Sequence, residues 1–140
     1  MPPPRSPTAR GRRRLARRAG LPALAFVNGL DRERARFGAA LDSLGRLEGA
    51  RPVPVALPIG EASAFEGVID VVRGVALRAA GEGPLSEEQQ LEADAARDRL
   101  AEAVAECDDE LLEKYLDQGS LAEDEVARGL VAGVRAGKLL

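Results

Sequence analysis

An asparagine and an aspartate three residues apart are well placed in this sequence to bind a ligand. Asn28 and Asp31 directly follow an apolar run, in the stretch FVNGLD. A carboxylate in such a place can accept two hydrogen bonds from a planar pair of N–H groups, such as the N1 and N2 edge of guanine. An Asn-Gly turn followed by an aspartate helix cap would have the same sequence. The spacing alone therefore leaves both interpretations open, a ligand-binding pair and a structural turn with a cap.

The elements around this stretch are predicted to be a strand, a tight loop and a helix. The apolar density from Leu21 to Val27 is too short for a helix and predicts a buried strand. Asp31 then stands where an N-cap would, and apolar residues follow at helical spacing: Phe37, Leu41, Leu44 and Leu47. Polar side chains after a buried strand are expected at the carboxyl edge of a sheet, where open α/β folds bind ligands.

The middle of the chain is predicted to contain short strands. VPVALPIG indicates one strand, stopped by Pro58 and Gly60. FEGVIDVVRGVALRA holds two β-branched runs and predicts a hairpin around Arg73 and Gly74. The stretch from Gly81 to Pro84 is predicted to be a loop.

Three helices are predicted to close the chain. Their N-terminal signals are Ser86 with Gln89, Asp108 with Asp109, and Ser120 with Glu123. The face predicted to be buried on the first helix carries Leu91, Ala95, Leu100, Ala103, Val104 and Cys107. Gly119 is expected to end the second helix, and Val126, Leu130 and Val134 recur every fourth residue in the third. Helices combined with short strands indicate an α/β or α+β fold.

Composition narrows the possible chemistry. The 140 residues fit one domain or a piece of a larger one, with 45% hydrophobic but 3% aromatic residues, so the core is expected to be aliphatic. One cysteine and no histidine exclude a disulfide framework, a structural zinc site and imidazole catalysis. Cys107 is predicted to be a buried, inert thiol. Neither a catalytic residue nor a metal ligand is assigned.

The charge is divided unevenly along the chain. Residues 1–18 hold seven arginines and no acid, whereas the rest carries 13 bases against 23 acids, a net charge of about −10. This acidic body is not expected to attract nucleic acid through its general field, and no sequence-specific nucleic-acid partner is expected. The arginine head (residues 1–19) is compatible with a disordered start and a solvated helix end, with a phosphate-binding arm, or with part of a transit peptide.

No run of apolar residues approaches the roughly 18 that a membrane span needs, and no signal-peptide core follows the arginines. A cytoplasmic location without a membrane partner is therefore expected. AGVRAGKL, residues 132–139, is a near-match to a phosphate loop, but it has alanine for the first glycine and leucine for the magnesium-binding hydroxyl. It is therefore interpreted as a helix end.

Four blocks together resemble the GTPase domain of bacterial elongation factor G and its close paralogues. They are GLPALAFVNGLDRERARFGAAL, RPVPVALPIG, FEGVIDVV and CDDELLEKYLDQGSLAEDEV, and the resemblance runs from about Arg13 to Leu140. It implies an α/β fold in which residues 20–58 form part of a P-loop-GTPase-type sheet. Residues 59–140 would then be the α+β insertion subdomain of this factor, with three C-terminal helices.

The resemblance also implies residue roles. Asp31 would read the guanine of GTP and Asn28 would brace the pocket, while Gly29 departs from the family's lysine, whose stem lies along the purine. Val75 and Ala79 stand where the family commonly shows lysine and an aromatic residue.

The family's phosphate loop, magnesium-binding threonine and catalytic histidine segments do not occur before Leu21. GTP, with Mg²⁺ in the parent protein, is therefore not expected to bind tightly to this chain or to be hydrolysed by it.

The implied function is that of a fragment or truncated form of a translational GTPase. Its parent would move transfer RNA and messenger on the ribosome, with the insertion facing stalk proteins of the large subunit. An alternative from another class is a small acidic helical module that docks a basic protein partner and has no nucleotide chemistry.

Overall fold

The computed structural model describes residues 9–46, 49 and 51–140. Within them the chain forms five α-helices and a four-stranded antiparallel sheet, a mixed α/β arrangement. The helices are α1 Ala9–Arg18, α2 Phe37–Gly45, α3 Glu87–Ala105, α4 Asp109–Gln118 and α5 Glu123–Arg135. The strands are β1 Ala56–Ile59, β2 Gly67–Asp70, β3 Val75–Arg78 and β4 Gly81–Gly83. The predicted disorder at the start of the arginine head and the predicted helical position of Leu47 lie outside the described residues.

The sheet is a simple meander in which each strand pairs with the next along the chain. The predicted hairpin between β2 and β3 is confirmed, with Val68 opposite Leu77 and Ile69 opposite Ala76. Its turn closes through a bond from Gly74 N to Asp70 O at 2.8 Å. Gly74 has a φ of +66°, a left-handed conformation that glycine adopts at little cost.

Two predictions within the sheet are wrong. Residues 81–83, predicted to be a loop, form β4, because backbone pairing with β3 does not depend on their side chains. Arg73 also holds this edge strand through an ion pair with Glu82 at 2.6 Å. Pro58, predicted to stop a strand, lies inside β1, which is tolerated because β1 is an edge strand.

The buried core joins one face of the sheet to helix α3. Its sheet members are Leu57, Ile59, Ile69, Val71 and Ala76, and its α3 members are Ala93, Ala96, Leu100, Ala101, Ala103, Val104 and Ala105. Leu121, Val126 and Leu139 complete it from the C-terminal segment. The aliphatic core predicted from the composition is therefore confirmed. All of these residues lie between positions 57 and 139, and the described residues before Leu57 contribute no fully buried side chain.

The buried stripe of α3 is wider than the sequence predicts and is displaced at its beginning. Leu91 is 73% exposed, and Ala95 is also exposed, whereas Ala93 and Ala96 are buried. The cause is tertiary, because α3 packs against β2 on one side and against α4 and α5 on others. Small side chains let these neighbours approach closely, so alanine fills positions where leucine was expected.

Two of the three predicted helix starts are confirmed. Ser86 Oγ accepts from Gln89 N at 3.3 Å while Gln89 Oε1 accepts from Ser86 N at 3.1 Å, a complete capping box. Asp108 Oδ1 accepts from the backbone nitrogens of residues 110 and 111 at the start of α4. The Ser120 cap is wrong, because α5 begins at Glu123 and the carboxylate of Glu125 bonds back to Ala122 N at 2.9 Å.

The predicted end of α4 is also confirmed. Gly119 has a φ of +72° there, and its N–H donates to Tyr115 O at 2.8 Å. Cys107, predicted to be buried, is half-buried, with Sγ 3.3 Å from Ala103 O. Burial raises the pKa of its thiol, which reduces the thiolate fraction and agrees with an unreactive side chain.

The buried strand predicted from Leu21 to Val27 is wrong for the part of the chain that the structure describes. The segment pairs with no described strand, and Leu24 and Phe26 are 81% and 86% exposed. An apolar run forms a buried strand only if another part of the protein covers it, and no described residue covers these two side chains. No helix among the described residues is both long and apolar enough to cross a membrane.

A short parallel pairing joins the segment before the sheet to the segment after α5. Arg51 N donates to Lys138 O at 2.9 Å, Leu140 N to Arg51 O at 3.0 Å, and Val53 N to Leu140 O at 2.9 Å. Arg51 also forms ion pairs with Glu106 at 2.9 Å and with Glu102 at 3.6 Å on α3. The unit that contains the sheet and helices α3 to α5 therefore starts and ends at one place.

Gly129 on α5 provides a test of the close helix packing. A Cβ atom there would overlap Val104 Cγ1 and would lie 2.7 Å from Leu111 Cδ1, and Val104 is completely buried. We expect Gly129→Ala to lower the free energy of unfolding by about 1 to 3 kcal/mol in urea denaturation, because overpacking forces neighbours to shift. Gly38→Ala on α2, where a Cβ meets nothing within 4 Å, is the control and should be neutral or stabilising. Equal behaviour of the two variants would contradict this packing.

Glu125 provides a test of the link between α4 and α5. Lys114 Nζ donates to Glu125 Oε1, and this bond, followed by the bond from Ala122 N, lowers the pKa of Glu125. A lowered folded pKa stabilises the protein above the unfolded pKa, and this contribution is lost as the pH falls through the folded pKa. Thermal melts from neutral to acid pH should therefore show a lower Tm at neutral pH and a flatter acid decline for Glu125→Gln. Glu113→Gln, which alters an exposed glutamate of α4, should leave the melting curve close to that of the unmodified chain.

Candidate functional site

The loop that carries Asn28 and Asp31 consists of two consecutive turns. Arg32 N donates to Gly29 O at 3.2 Å, and Ala35 N donates to Arg32 O at 3.1 Å. Helix α2 starts only at Phe37, with the backbone of Arg36 in the extended conformation at the N-cap. The predicted N-cap role of Asp31 is therefore wrong. Arg34 has a φ of +64°, a left-handed conformation that prevents a helix from starting at Asp31.

Asn28 stabilises the start of the first turn. Its Oδ1 accepts a hydrogen bond from Gly29 N at 2.8 Å, so the side chain is folded onto the next amide of its own loop. This local bond holds the backbone where the extended segment enters the turn. Among the described residues, no hydrogen bond links Asn28 directly to Asp31.

Asp31 presents an exposed carboxylate at the tip of this loop. Within the described ranges, no hydrogen bond or ion pair engages its oxygens, and the first amides of α2 are too far along the chain to be capped by it. Two acceptor oxygens are thus free for a ligand. Such a carboxylate can accept from two parallel N–H groups, the arrangement that the guanine edge offers.

Gly29 and Arg32 determine the shape of the turn together. Gly29 has a φ of +77°, and a Cβ there would lie 3.3 Å from both Cδ and Nε of Arg32. The stem of Arg32 therefore occupies the space next to position 29 that a longer residue would otherwise fill. Arg32 was not predicted as a site residue from the sequence. The one signal near it was Gly29, which stands where the family has lysine.

The loop is attached to the end of the first sheet strand. Ala62 N donates to Leu30 O at 3.0 Å, and Arg36 forms an exposed ion pair with Glu61 at 3.3 Å. The corner at Gly60 requires glycine, since its φ is +75° and a Cβ would overlap the backbone oxygen of Ala64. Although residues 28–36 and 59–64 are far apart in sequence, their backbones therefore meet.

A mostly apolar cleft runs beside the extended segment that leads to the loop. It has a volume of about 900 Å³ and lies between α1, residues 22–27, α2 and Leu140. Leu24, Phe26 and Leu44 are among its lining residues. Within the described residues, no group of three or more histidine, cysteine, aspartate or glutamate side chains is arranged to hold a metal ion.

The stretch that nearly matches a phosphate loop lies at the end of a helix, as predicted. Residues 132–139 finish helix α5 and pass through Gly137, which has a φ of +72°, into the parallel pairing. A phosphate loop instead joins a strand to the start of a helix, where free N–H groups face the anion. The carbonyl end of α5 has the opposite polarity.

Comparison with known proteins gives a structural relative. No protein family profile matches this sequence. A crystal structure of a protein from Thermus thermophilus superposes with a TM-score of 0.76 at 30% sequence identity. The match covers 92% of this chain and 20% of the Thermus protein, so the chain spans about a fifth of that relative's length. The chain thus shares its fold with one segment of a much longer protein.

Gly29→Ala tests whether the loop needs a left-handed residue. We expect it to lower the free energy of unfolding by about 1 to 2 kcal/mol in chemical denaturation, because Cβ disfavours this conformation. Gly20→Ala, with a φ of +66° and nothing within 4 Å of the added Cβ, is the matched control for the backbone effect alone. A smaller loss for Gly29→Ala than for Gly20→Ala would contradict the close contact with Arg32.

Proposed function

We propose that this chain is a segment of an elongation-factor-G-like translational GTPase, in which residues 28–32 form the guanine-recognition loop. The observation that carries the proposal is the Asp31 carboxylate, which is exposed, unpaired among the described residues and not folded onto its helix. The four sequence blocks around it support the same assignment. The structural relative supports it further, since this fold occurs there as a fifth of a longer chain.

In this proposal, residues 20–58 belong to the GTPase body and residues 59–140 form the inserted subdomain. The second assignment is supported by the location of the buried core of the described residues, which lies between Ile59 and Leu139 except for Leu57. It is also supported by the parallel pairing of Arg51 and Leu139, since an insertion must leave and rejoin its host at neighbouring points. The extended residues 21–27 would be one strand of a P-loop-GTPase-type sheet that the parent protein completes.

Most of the affinity for the nucleotide would have to come from the rest of the parent protein, because the contact made by this chain is too weak. A bidentate contact such as that of Asp31 contributes about 1 to 3 kcal/mol of discrimination, by analogy with base readout. Even a millimolar dissociation constant requires about 4 kcal/mol. GTP and Mg²⁺ would therefore be held by phosphate-binding segments of the parent, and this chain would select the base without hydrolysing GTP alone.

Arg32 offers a replacement for the lysine that the family has at position 29. The family's lysine stem lies along the purine face, and glycine cannot provide that surface. The Arg32 stem lies within 3.3 Å of the position of a Gly29 Cβ, so its methylene groups and planar guanidinium are available on the same side of the turn. Arg32 is thus the proposed stacking residue of this loop.

The partners follow from the family and remain part of the proposal. The parent would act in the cytoplasm on the ribosome and would place the inserted subdomain near stalk proteins of the large subunit. The helices of that subdomain begin with acidic first turns, namely Glu87 and Glu88 on α3, Asp109 and Glu110 on α4, and residues 123–125 on α5. These acids equally suit the alternative function, a module that docks a basic protein.

The decisive experiment is Asp31→Asn in the parent-length protein, with GTP and xanthosine triphosphate titrated separately. Asparagine replaces one acceptor by a donor, so we expect GTP affinity to fall by about tenfold or more and the preference to move toward the xanthine nucleotide. Glu33→Gln, which alters an exposed carboxylate of the same loop, is the matched control. An unchanged preference in Asp31→Asn would favour the docking module. The isolated 140-residue chain should show no GTP turnover above background.

A further inference from the structure

A second cavity lies at the other end of the extended segment from Asp31. It has a volume of about 360 Å³ and lies between the C-terminal ends of α1 and α5. Four basic side chains line it, those of Arg13, Arg17, Arg135 and Lys138, and no acidic residue is among its described lining residues. We call it the basic pocket. The remaining lining residues are all glycine, alanine or leucine, so the four cationic side chains determine the charge of the pocket.

Arg13 is the most unusual member of the basic pocket. Its Nε and Nη1 atoms are closed to solvent and have no hydrogen-bond partner. Buried donors without acceptors are rare in folded proteins, because each costs the hydration that it has lost. A guanidinium carries a full charge, which makes the missing acceptor more costly. Arg13 therefore adds to the pocket a positive charge that no described acceptor compensates at these two atoms.

Arg17 and Arg135 point to the same kind of ligand. Within the described chain, neither forms an ion pair. The Arg17 guanidinium lies against Gly49, where an added Cβ would overlap its Nη1. Gly49 has a φ of +106°, so the backbone adopts a glycine-specific conformation where the guanidinium approaches.

The helix dipoles explain part of this arrangement but not all of it. Arg17 and Arg135 lie in the last turns of α1 and α5, where positive charge is favourable. Arg13 lies in the middle of α1, so the dipoles give no reason for its presence. Lys138 Nζ donates to Cys107 O at 3.1 Å, which leaves two of its three donors for another partner.

We propose that the basic pocket binds a phosphate group, either of a free phosphate compound or of an RNA backbone. Phosphate oxygens accept charge-assisted hydrogen bonds from arginine forks, and two arginines can each bind two oxygens. A volume of about 360 Å³ accommodates a pyrophosphate or one phosphodiester with its sugars. The proposal is independent of the guanine-recognition loop, since none of residues 28–32 lines the pocket.

The experiment uses the whole 140-residue chain and isothermal titration with two separate probes, sodium pyrophosphate and a ten-nucleotide oligouridylate. We expect saturable binding of at least one probe, weakened about tenfold by either Arg17→Gln or Arg135→Gln, since each loses a charge-assisted bond. Both side chains are exposed enough that the variants should fold, which circular dichroism checks. Arg99→Gln, an exposed arginine of α3 outside the pocket, is the matched control and should bind as the unmodified chain does.

Each outcome of the titrations has a defined meaning. Pocket-dependent binding of pyrophosphate alone identifies a free phosphate compound, and pocket-dependent binding of the oligouridylate identifies a nucleic-acid backbone. Absence of binding by both probes overturns the proposal, as does an equal loss in Arg99→Gln, which would indicate general charge attraction. Asp31→Asn should leave these affinities unchanged, so failure of the pocket and failure of the guanine loop are distinguishable.

Discussion

The backbone pairing between residues 51–53 and 138–140 is the constraint on which the rest of the structure depends. It fixes where the chain leaves for the sheet and where it returns after α5. Leu139, which takes part in this pairing, is also a core residue, 3% exposed, and its side chain lies against Gly133. Arg51 connects the same place to α3 through Glu102 and Glu106. Core, helix packing and chain closure thus meet at one place, and we expect this unit to unfold cooperatively.

The candidate loop is attached to this unit by much weaker means. Its described connections to residues 59–64 are one backbone hydrogen bond at Leu30 O and an exposed ion pair between Arg36 and Glu61. Exposed pairs contribute about 0 to 1 kcal/mol, so most of the loop geometry must come from its own turns. Left-handed conformations at Gly29 and Arg34 provide that geometry. An exposed carboxylate at a turn can be aimed at a ligand because no helix amide competes for it.

Several features determined by neighbours along the chain were predictable from sequence, although the caps at Asp31 and Ser120 were not, and features determined by distant neighbours were predicted wrongly. The Ser86 capping box, the Gly119 helix end and the turn at Arg73 and Gly74 each depend on contacts within a few residues, and all are present. The exposure of Leu91 and the strand at 81–83 depend on how other elements pack or pair, and both were predicted wrongly.

The same distinction between local and distant neighbours applies to the candidate sites. Asn28 and Asp31 could be selected as candidates because they lie three residues apart in one short stretch, although the cap assigned to Asp31 was excluded by the left-handed Arg34. The contact of Arg32 with Gly29 depends on a side-chain rotamer, which spacing does not give. The basic pocket brings Arg13 and Arg17 next to Arg135 and Lys138, more than a hundred residues later. The run of arginines at the start of the chain indicated two of the cations, but the sequence did not indicate that Arg135 and Lys138 would lie beside them.

The exposure of the apolar segment at residues 21–27 also affects the candidate loop that follows it. Fully burying a leucine or phenylalanine side chain stabilises a protein by about 1.5 to 3 kcal/mol, yet Leu24 and Phe26 are more than four-fifths exposed. When a ligand needs residues 21–31 in one particular conformation and only a fraction of the molecules adopt it, the apparent affinity for the ligand is reduced by that fraction. In the proposed parent, neighbouring strands would cover these side chains and fix the base of the loop. The same surroundings would supply the phosphate contacts, so base selection by Asp31 and affinity for the nucleotide would arise together.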